Sequence, residues 1–193
     1  TQEEFQAFLE CVADKPISYY AFEILYWTGI REGELLALTP ADFNFEKKTL
    51  RINKSYQRLE GKDVITDPKT PKSNRTIVMP DFLAVEMEDF IKSLYGIRDD
   101  DRIFTISKSY LHHEMDRGAK LAGAKRIRIH GLRHSHISLL TNLGFSALAI
   151  GERVGHEAVD ITYHYAHLFP TVQTDMAAQL ETEREALVNV RKE

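Results

Sequence analysis

The chain has 193 residues, 43% of them hydrophobic, enough for one domain with a real core and too apolar for a disordered polymer. Its single cysteine, Cys11, excludes a disulfide framework or a cysteine-rich zinc site and fits a reducing cytoplasm, and no apolar run reaches the roughly 18 residues of a membrane span. The net charge of −4 argues at first against a nucleic-acid partner, so the placement of charge along the chain becomes the deciding feature.

Thr1 followed by Glu4 has the form of a capping box and predicts a helix through about Cys11; the acidic opening TQEEFQAFLE is unlike a signal peptide. Ser18 to about Thr28 is apolar on most faces, with Phe22, Ile24, Leu25 and Trp27, and predicts a buried helix closed by Gly29. A third helix is expected from Arg31 to Leu38, ahead of Pro40. From Asp42 to Met79 the apolar period changes to alternation. FNFEKKTLRINKSYQRL, KDVITD and RTIVMP, separated by EGK and PKTPKSN, predict a three-stranded antiparallel meander.

Pro80 opens a helix whose stripe is Phe82, Val85, Met87, Phe90, Ile91 and Leu94. DDDR at 99–102 is a solvated turn, IFTI a short extended segment, and Ser107 caps a helix to about Ala122. Further helices are expected from about His130 to near Gly144 and from Ser146 to the breaker Gly155. A brief helical or turn segment over 160–165 and a long polar-rich helix from Thr171 to about Val190 close the chain. The fold class is α+β: one mainly helical domain over 1–193 carrying a small three-stranded antiparallel sheet.

Charge is segregated. Residues 47–77 carry Lys47, Lys48, Arg51, Lys54, Arg58, Lys62, Lys69, Lys72 and Arg75 against Glu60, Asp63 and Asp67. Residues 117–136 carry Arg117, Lys120, Lys125, Arg126, Arg128 and Arg133 and no acid, while the acids gather near 3–14, 81–101 and 175–193. Two basic segments on an acidic background predict a phosphate-binding face, with Lys54, Arg58, Lys72, Arg75, Lys125, Arg126 and Arg128 as its DNA-binding candidates; scattered solvated lysines are the plainer alternative.

The stretch IHGLRHSHISLL at 129–140 places His130, Arg133 and His134 on one helical face and His136 on another. His130 and His134 have the spacing of a zinc-ligand pair, but a guanidinium one turn away repels a cation and suits a phosphate instead. No metal and no cofactor is expected.

Four pieces now stand in order: TGIREGELLALTPADF (28–43), DPKTPKSNRTIVMP (67–80), HGLRH (130–134) and VGHEAVDITYHYAHL (154–168). Together they resemble the tyrosine recombinase family, the phage and mobile-element integrases, over essentially the whole chain. The resemblance is to the catalytic domain; the amino-terminal DNA-binding domains of such integrases are absent from this chain. It implies cleavage and rejoining of double-stranded DNA at attachment sites through a covalent 3′-phosphotyrosine, in integration or excision of a mobile element. It also implies a homotetramer on DNA built from subunits that are monomers in isolation. The helix over 171–193 is a candidate for exchange between protomers.

Phosphodiester cleavage needs an in-line nucleophile, positive charge on the nonbridging oxygens and a proton for the leaving alkoxide. Arg31 and Arg133 are the pair for the oxygens; an Arg31–Glu34 surface ion pair is the competing account of Arg31, and the resemblance makes Glu34 the acid that orients the site. Tyr165, nine residues after His156 and followed by AHL, is the nucleophile, with Tyr163 its competitor. A phenol ionises near pH 10, so its proton must pass to His130 or to the phosphate. Lys69, in PKT, is preferred over Lys72 as the proton donor, and His156 would hydrogen-bond the phosphate or leaving group. The remaining histidines, His112, His113, His134, His136, His164 and His167, are assigned to packing or solvent. The family often has Asp where Gly131 stands. The alternatives are a type IB topoisomerase, a zinc hydrolase built on His130 and His134, and a catalytically idle DNA-binding module.

Overall fold

The computed structural model describes residues 1–67 and 73–155. These residues form seven helices and five short strands, with one main core and a smaller apolar cluster between the last two helices. Helix α1 (Gln2–Val12) begins where the Thr1 hydroxyl accepts the Glu4 amide and buries Phe5, Phe8, Leu9 and Val12. Helix α2 (Pro16–Thr28) starts two residues earlier than its apolar pattern suggested, because Pro16 takes the first helical position, where its missing N–H and fixed φ cost nothing. It is buried along most of its length and packs against α1 and two later helices, α4 (Asp81–Ser93) and α6 (Ile129–Asn142). Burying a Phe or Leu side chain stabilises by about 1.5–3 kcal/mol, so fully buried Phe22, Ile24 and Leu25 make α2 the centre of the domain.

Helix α5 (Lys108–Ala122), capped by the Ser107 hydroxyl, lies against α1. Gly118 permits that contact, since a Cβ there would stand 2.5 Å from the Phe8 ring. Helix α7 (Ala147–Val154) packs on α6 through Ile137, Ile150 and Val154. The expected third helix is a single turn, α3 (Glu32–Leu35), followed by a 3-10 turn at Pro40–Asp42. The residue before a proline is disfavoured in the α region, and Thr39 is extended, with φ −126° and ψ 160°. IFTI forms no strand, but Ile103 donates its amide to the Leu38 carbonyl at 2.9 Å and is buried with Phe104.

The expected meander is corrected to two sheets. The first stretch contains three strands rather than one: β1 (Phe43–Asn44), β2 (Thr49–Ile52) and β3 (Ser55–Leu59). A turn with Lys48 at φ 52° lies between the first two. KDVITD supplies β4 (Lys62–Thr66) and RTIVMP supplies β5 (Arg75–Val78). One antiparallel sheet has the order β1-β2-β5, and β3 pairs only with β4. This second pair is a two-residue hairpin with Glu60 at φ 49° and Gly61 at φ 79°, the positive-φ turn whose twist matches that of its strands. The hairpin is thus an excursion between two paired strands, and Gly33 in α3 faces it so closely that a Cβ would lie 2.6 Å from the Ser55 hydroxyl. The segment over 160–165 and the helix expected from Thr171 lie outside the described residues, within which no helix is long and apolar enough to cross a membrane.

Candidate active site

A cleft of about 880 Å³ opens between the β3–β4 hairpin and the starts of α3, α5 and α6. Arg31, Lys54, Arg58, Lys108 and His130 line it, as do Asp67 and Ser73, the residues that bound the segment 68–72. Lys69 and Lys72 fall in that segment, and His156, Tyr163 and Tyr165 follow Gly155, so these five lie outside the described residues.

Arg31 stands at the N-cap of α3 in extended backbone. Its amide donates to Glu34 Oε2 and its Nη1 to Oε1, both at 2.8 Å, so the i,i+3 ion pair exists and orients the side chain rather than displacing it from the cleft. Arg31 Nη2 donates to the Gly155 carbonyl at 3.0 Å. Arg133, 2% exposed, donates from Nη1 to the Gly29 carbonyl and from Nη2 to the Val154 carbonyl, each at 2.6 Å. Two arginines about a hundred positions apart in sequence are therefore tied to successive carbonyls at the C-terminal end of α7. That end carries the negative pole of the helix and its orphan carbonyls, which guanidinium forks satisfy. Gly29 is required twice: its φ of 66° closes α2, and a Cβ there would meet the His136 ring at 2.6 Å.

Glu34 is also gripped from the other side. Arg75 Nη1 donates to Oε1 at 3.1 Å and Nη2 to Oε2 at 2.9 Å. Burial pushes the Glu34 carboxyl up, but the hydrogen bonds and charge of Arg75, with Arg31 behind them, outweigh it and hold the group below the usual carboxylate range. His130 reaches the cleft with its ring edge-to-face on His134, centroids 4.8 Å apart. Burial first, then the neighbouring His134, Arg133 and Arg31, lower its basicity below that of a free imidazole; burial and Arg133 do the same to His134. A neutral His130 is a proton acceptor. Among the described residues no three His, Cys, Asp or Glu side chains converge as metal ligands.

The basic candidates divide. Lys54 and Arg58 line the cleft; Lys54 is held by buried Asp42, which also accepts the Thr39 amide and hydroxyl at 2.9 and 3.0 Å, and Arg58 stands 3.7 Å from Asp63. Lys125, Arg126 and Arg128 are exposed in the loop before α6, outside the cleft lining, and Arg126 donates to Asp116 at 2.6 Å. Arg75 is turned inward, its side chain 7% exposed. Sequence reasoning missed Lys108, which follows the helix cap Ser107 into the cleft, and Arg153, which stands three positions before His156 and makes four links described below.

The family model described as the phage integrase family matches residues 1–171. The ICEBs1 integrase of Bacillus subtilis is 31% identical over 93% of this chain and 53% of its own length; the chain spans about half the length of the curated relatives it matches. Among solved structures, the Tn1549 transposon integrase in complex with circular intermediate DNA superposes with a TM-score of 0.77 at 25% identity, over 95% of this chain and 66% of that one. The catalytic domain of bacteriophage HP1 integrase superposes with a TM-score of 0.64 at 20% identity, over 92% of each chain, a likeness of fold.

Proposed function

The chain belongs to the phage integrase family, and from that premise we propose that it is the catalytic domain of a site-specific tyrosine recombinase that cuts and rejoins double-stranded DNA without metal or nucleotide. The observation that carries this reading is the pair Arg31 and Arg133, brought together on the Val154 and Gly155 carbonyls beside a basic cleft. Solved relatives support DNA as the partner: the Tn1549 integrase is described in complex with circular intermediate DNA, and a XerH recombinase bound to its difH substrate.

In the proposed reaction Arg31 and Arg133 neutralise the nonbridging oxygens of one phosphodiester while Glu34 and Arg75 fix the first of them. The Tyr165 oxygen attacks phosphorus in line, forming the phosphotyrosyl bond as the bond to the 5′ oxygen breaks. The phenolic proton passes to neutral His130 or to the phosphate, and Lys69 protonates the departing 5′ oxygen. His156 hydrogen-bonds the phosphate. The phosphotyrosyl ester conserves the bond, so attack by a 5′-hydroxyl reseals the strand with no external energy source. For Lys69 the support is the PKT sequence and the position of Asp67 and Ser73 on the cleft; Lys72 is the alternative donor. Lys54, Arg58, Lys72, Lys125, Arg126 and Arg128 contact DNA phosphates.

The same reading includes assembly: monomers in isolation, a homotetramer on DNA, exchange of the 171–193 helix between protomers, and action in the cytoplasm. The test is incubation in EDTA with suicide duplexes drawn from a panel of attachment sites. A protein–DNA adduct joined through the 3′ phosphate supports the reading, and binding without any adduct across the panel sinks it. Relaxation of plasmids that lack a cognate site would favour the topoisomerase alternative.

A further inference from the structure

Three consecutive carbonyls accept from three arginines. Arg153 O takes Arg75 Nε at 2.9 Å, Val154 O takes Arg133 Nη2 at 2.6 Å, and Gly155 O takes Arg31 Nη2 at 3.0 Å. This one turn therefore supplies an acceptor to both the Arg133 and the Arg31 guanidinium, Arg133 taking its second from Gly29. Gly155, in the left-handed region with φ 69°, makes the turn possible but does not anchor it.

The anchor is the Arg153 side chain. Its Nε donates to His136 Nε2 at 3.1 Å, its Nη1 to the Val78 carbonyl at 3.0 Å and its Nη2 to the Trp27 carbonyl at 3.2 Å. These acceptors belong to α6, to the end of β5 and to the end of α2. One planar fork thus pins the last turn of α7 to three elements at once, a geometry the compact ammonium of lysine does not reproduce. His136 is suited to its part: burial first, then the Arg153 charge, push it down to about 3, so its Nε2 keeps the lone pair that Arg153 requires.

We propose that Arg153, with His136 as its acceptor, is a positioning residue for DNA cleavage: it fixes the 153–155 turn and, through the Val154 and Gly155 carbonyls, the registration of Arg133 and Arg31 on the scissile phosphate. The proposal rests on the DNA-cleavage reading above. Arg153 does not touch the phosphate; its effect is transmitted through two other arginines.

Single-turnover cleavage at saturating DNA separates positioning from a general structural role, using matched duplexes with either the ordinary phosphodiester or a methylphosphonate at the scissile position. The methylphosphonate has one negative charge fewer to neutralise, so a defect in arginine placement matters less there. Wild type must form the adduct on the phosphodiester; if it does not, the cleavage reading fails and this proposal falls with it. Given that adduct, Arg153→Lys should lose about 100-fold in rate on the phosphodiester, with DNA affinity within about threefold of wild type, and only about threefold on the methylphosphonate. An equal loss on both substrates, or no loss, overturns the proposal. His136→Gln, which keeps an acceptor, should retain wild-type cleavage, and His136→Leu should show the same substrate-selective loss. If Arg153→Lys fails to fold, the two His136 variants decide by the same criteria.

Discussion

Arg75 and Glu34 form a two-pronged pair: both terminal nitrogens of the guanidinium donate to both carboxylate oxygens, at 3.1 and 2.9 Å, and those same oxygens hold Arg31. Glu34 is 5% exposed, so the pair is a buried one. Removing one partner of a buried pair costs about 3–5 kcal/mol where the other charge is left unpaired, an upper figure here because Arg31 still holds Glu34. Arg75→Met should therefore lower the urea midpoint strongly. It should also slow cleavage, because the carboxylate then has Arg31 alone to satisfy it. A variant as stable as wild type would show that the pair contributes nothing net.

Glu34→Gln keeps the shape of the side chain and removes its charge. With its carboxyl held below the usual range in the folded protein, Glu34 contributes stability that is present above the unfolded carboxylate value and lost as pH falls through the folded one. The stability difference between wild type and Glu34→Gln, followed by urea unfolding, should shrink on acidification below about pH 4. A difference independent of pH would contradict the assignment.

Glu23 has the opposite sign. It is buried in α2 at 4% exposure, and burial first, then the charge of Glu86 on α4, push it up to about 7. The folded state holds this proton more tightly than the unfolded one, so the contribution is complete below about pH 4.5 and lost as pH rises to about 7. Glu23→Gln should match wild type near pH 4 and exceed it at pH 8, by on the order of 2–3 kcal/mol as an upper figure. Parallel stability curves across that range would refute the placement.

Gly29→Ala should be costly in two ways. The φ of 66° penalises any side chain by about 1–2 kcal/mol, and the added carbon would stand 2.6 Å from the His136 ring. Because the Gly29 carbonyl accepts from Arg133, the same change should slow cleavage even where the protein remains folded at low temperature. Wild-type cleavage by a destabilised Gly29→Ala would show that this carbonyl does not set Arg133.

Much of this architecture was legible in the sequence. The Thr1 and Ser107 caps and the closing Gly29 and Gly155 all stand where local chemistry put them, because caps and breakers act over a few residues. The strands were misread because FNFEKKTLRINKSYQRL alternates almost continuously, and alternation does not reveal that the chain turns twice within it. Charge counting placed Arg75 on the DNA face. Its inward turn depends on Glu34, forty-one positions away, and no local pattern announces that pairing. Arg31, Glu34 and His130, which line the cleft, and Arg133, which is buried, were singled out by motif spacing. Arg153 was not, since its partners are two backbone carbonyls and a histidine drawn from three different elements.

In the proposed reaction the chain breaks DNA by forming a bond between phosphorus and the Tyr165 oxygen. The most direct test is covalent trapping on a nicked attachment-site duplex, followed by proteolysis and mass spectrometry of the DNA-linked peptide, for wild type, Tyr165→Phe and Tyr163→Phe. The expected result is linkage at Tyr165, no adduct from Tyr165→Phe and an undiminished adduct from Tyr163→Phe. An adduct that survives in Tyr165→Phe, or one that maps to Tyr163, would contradict it.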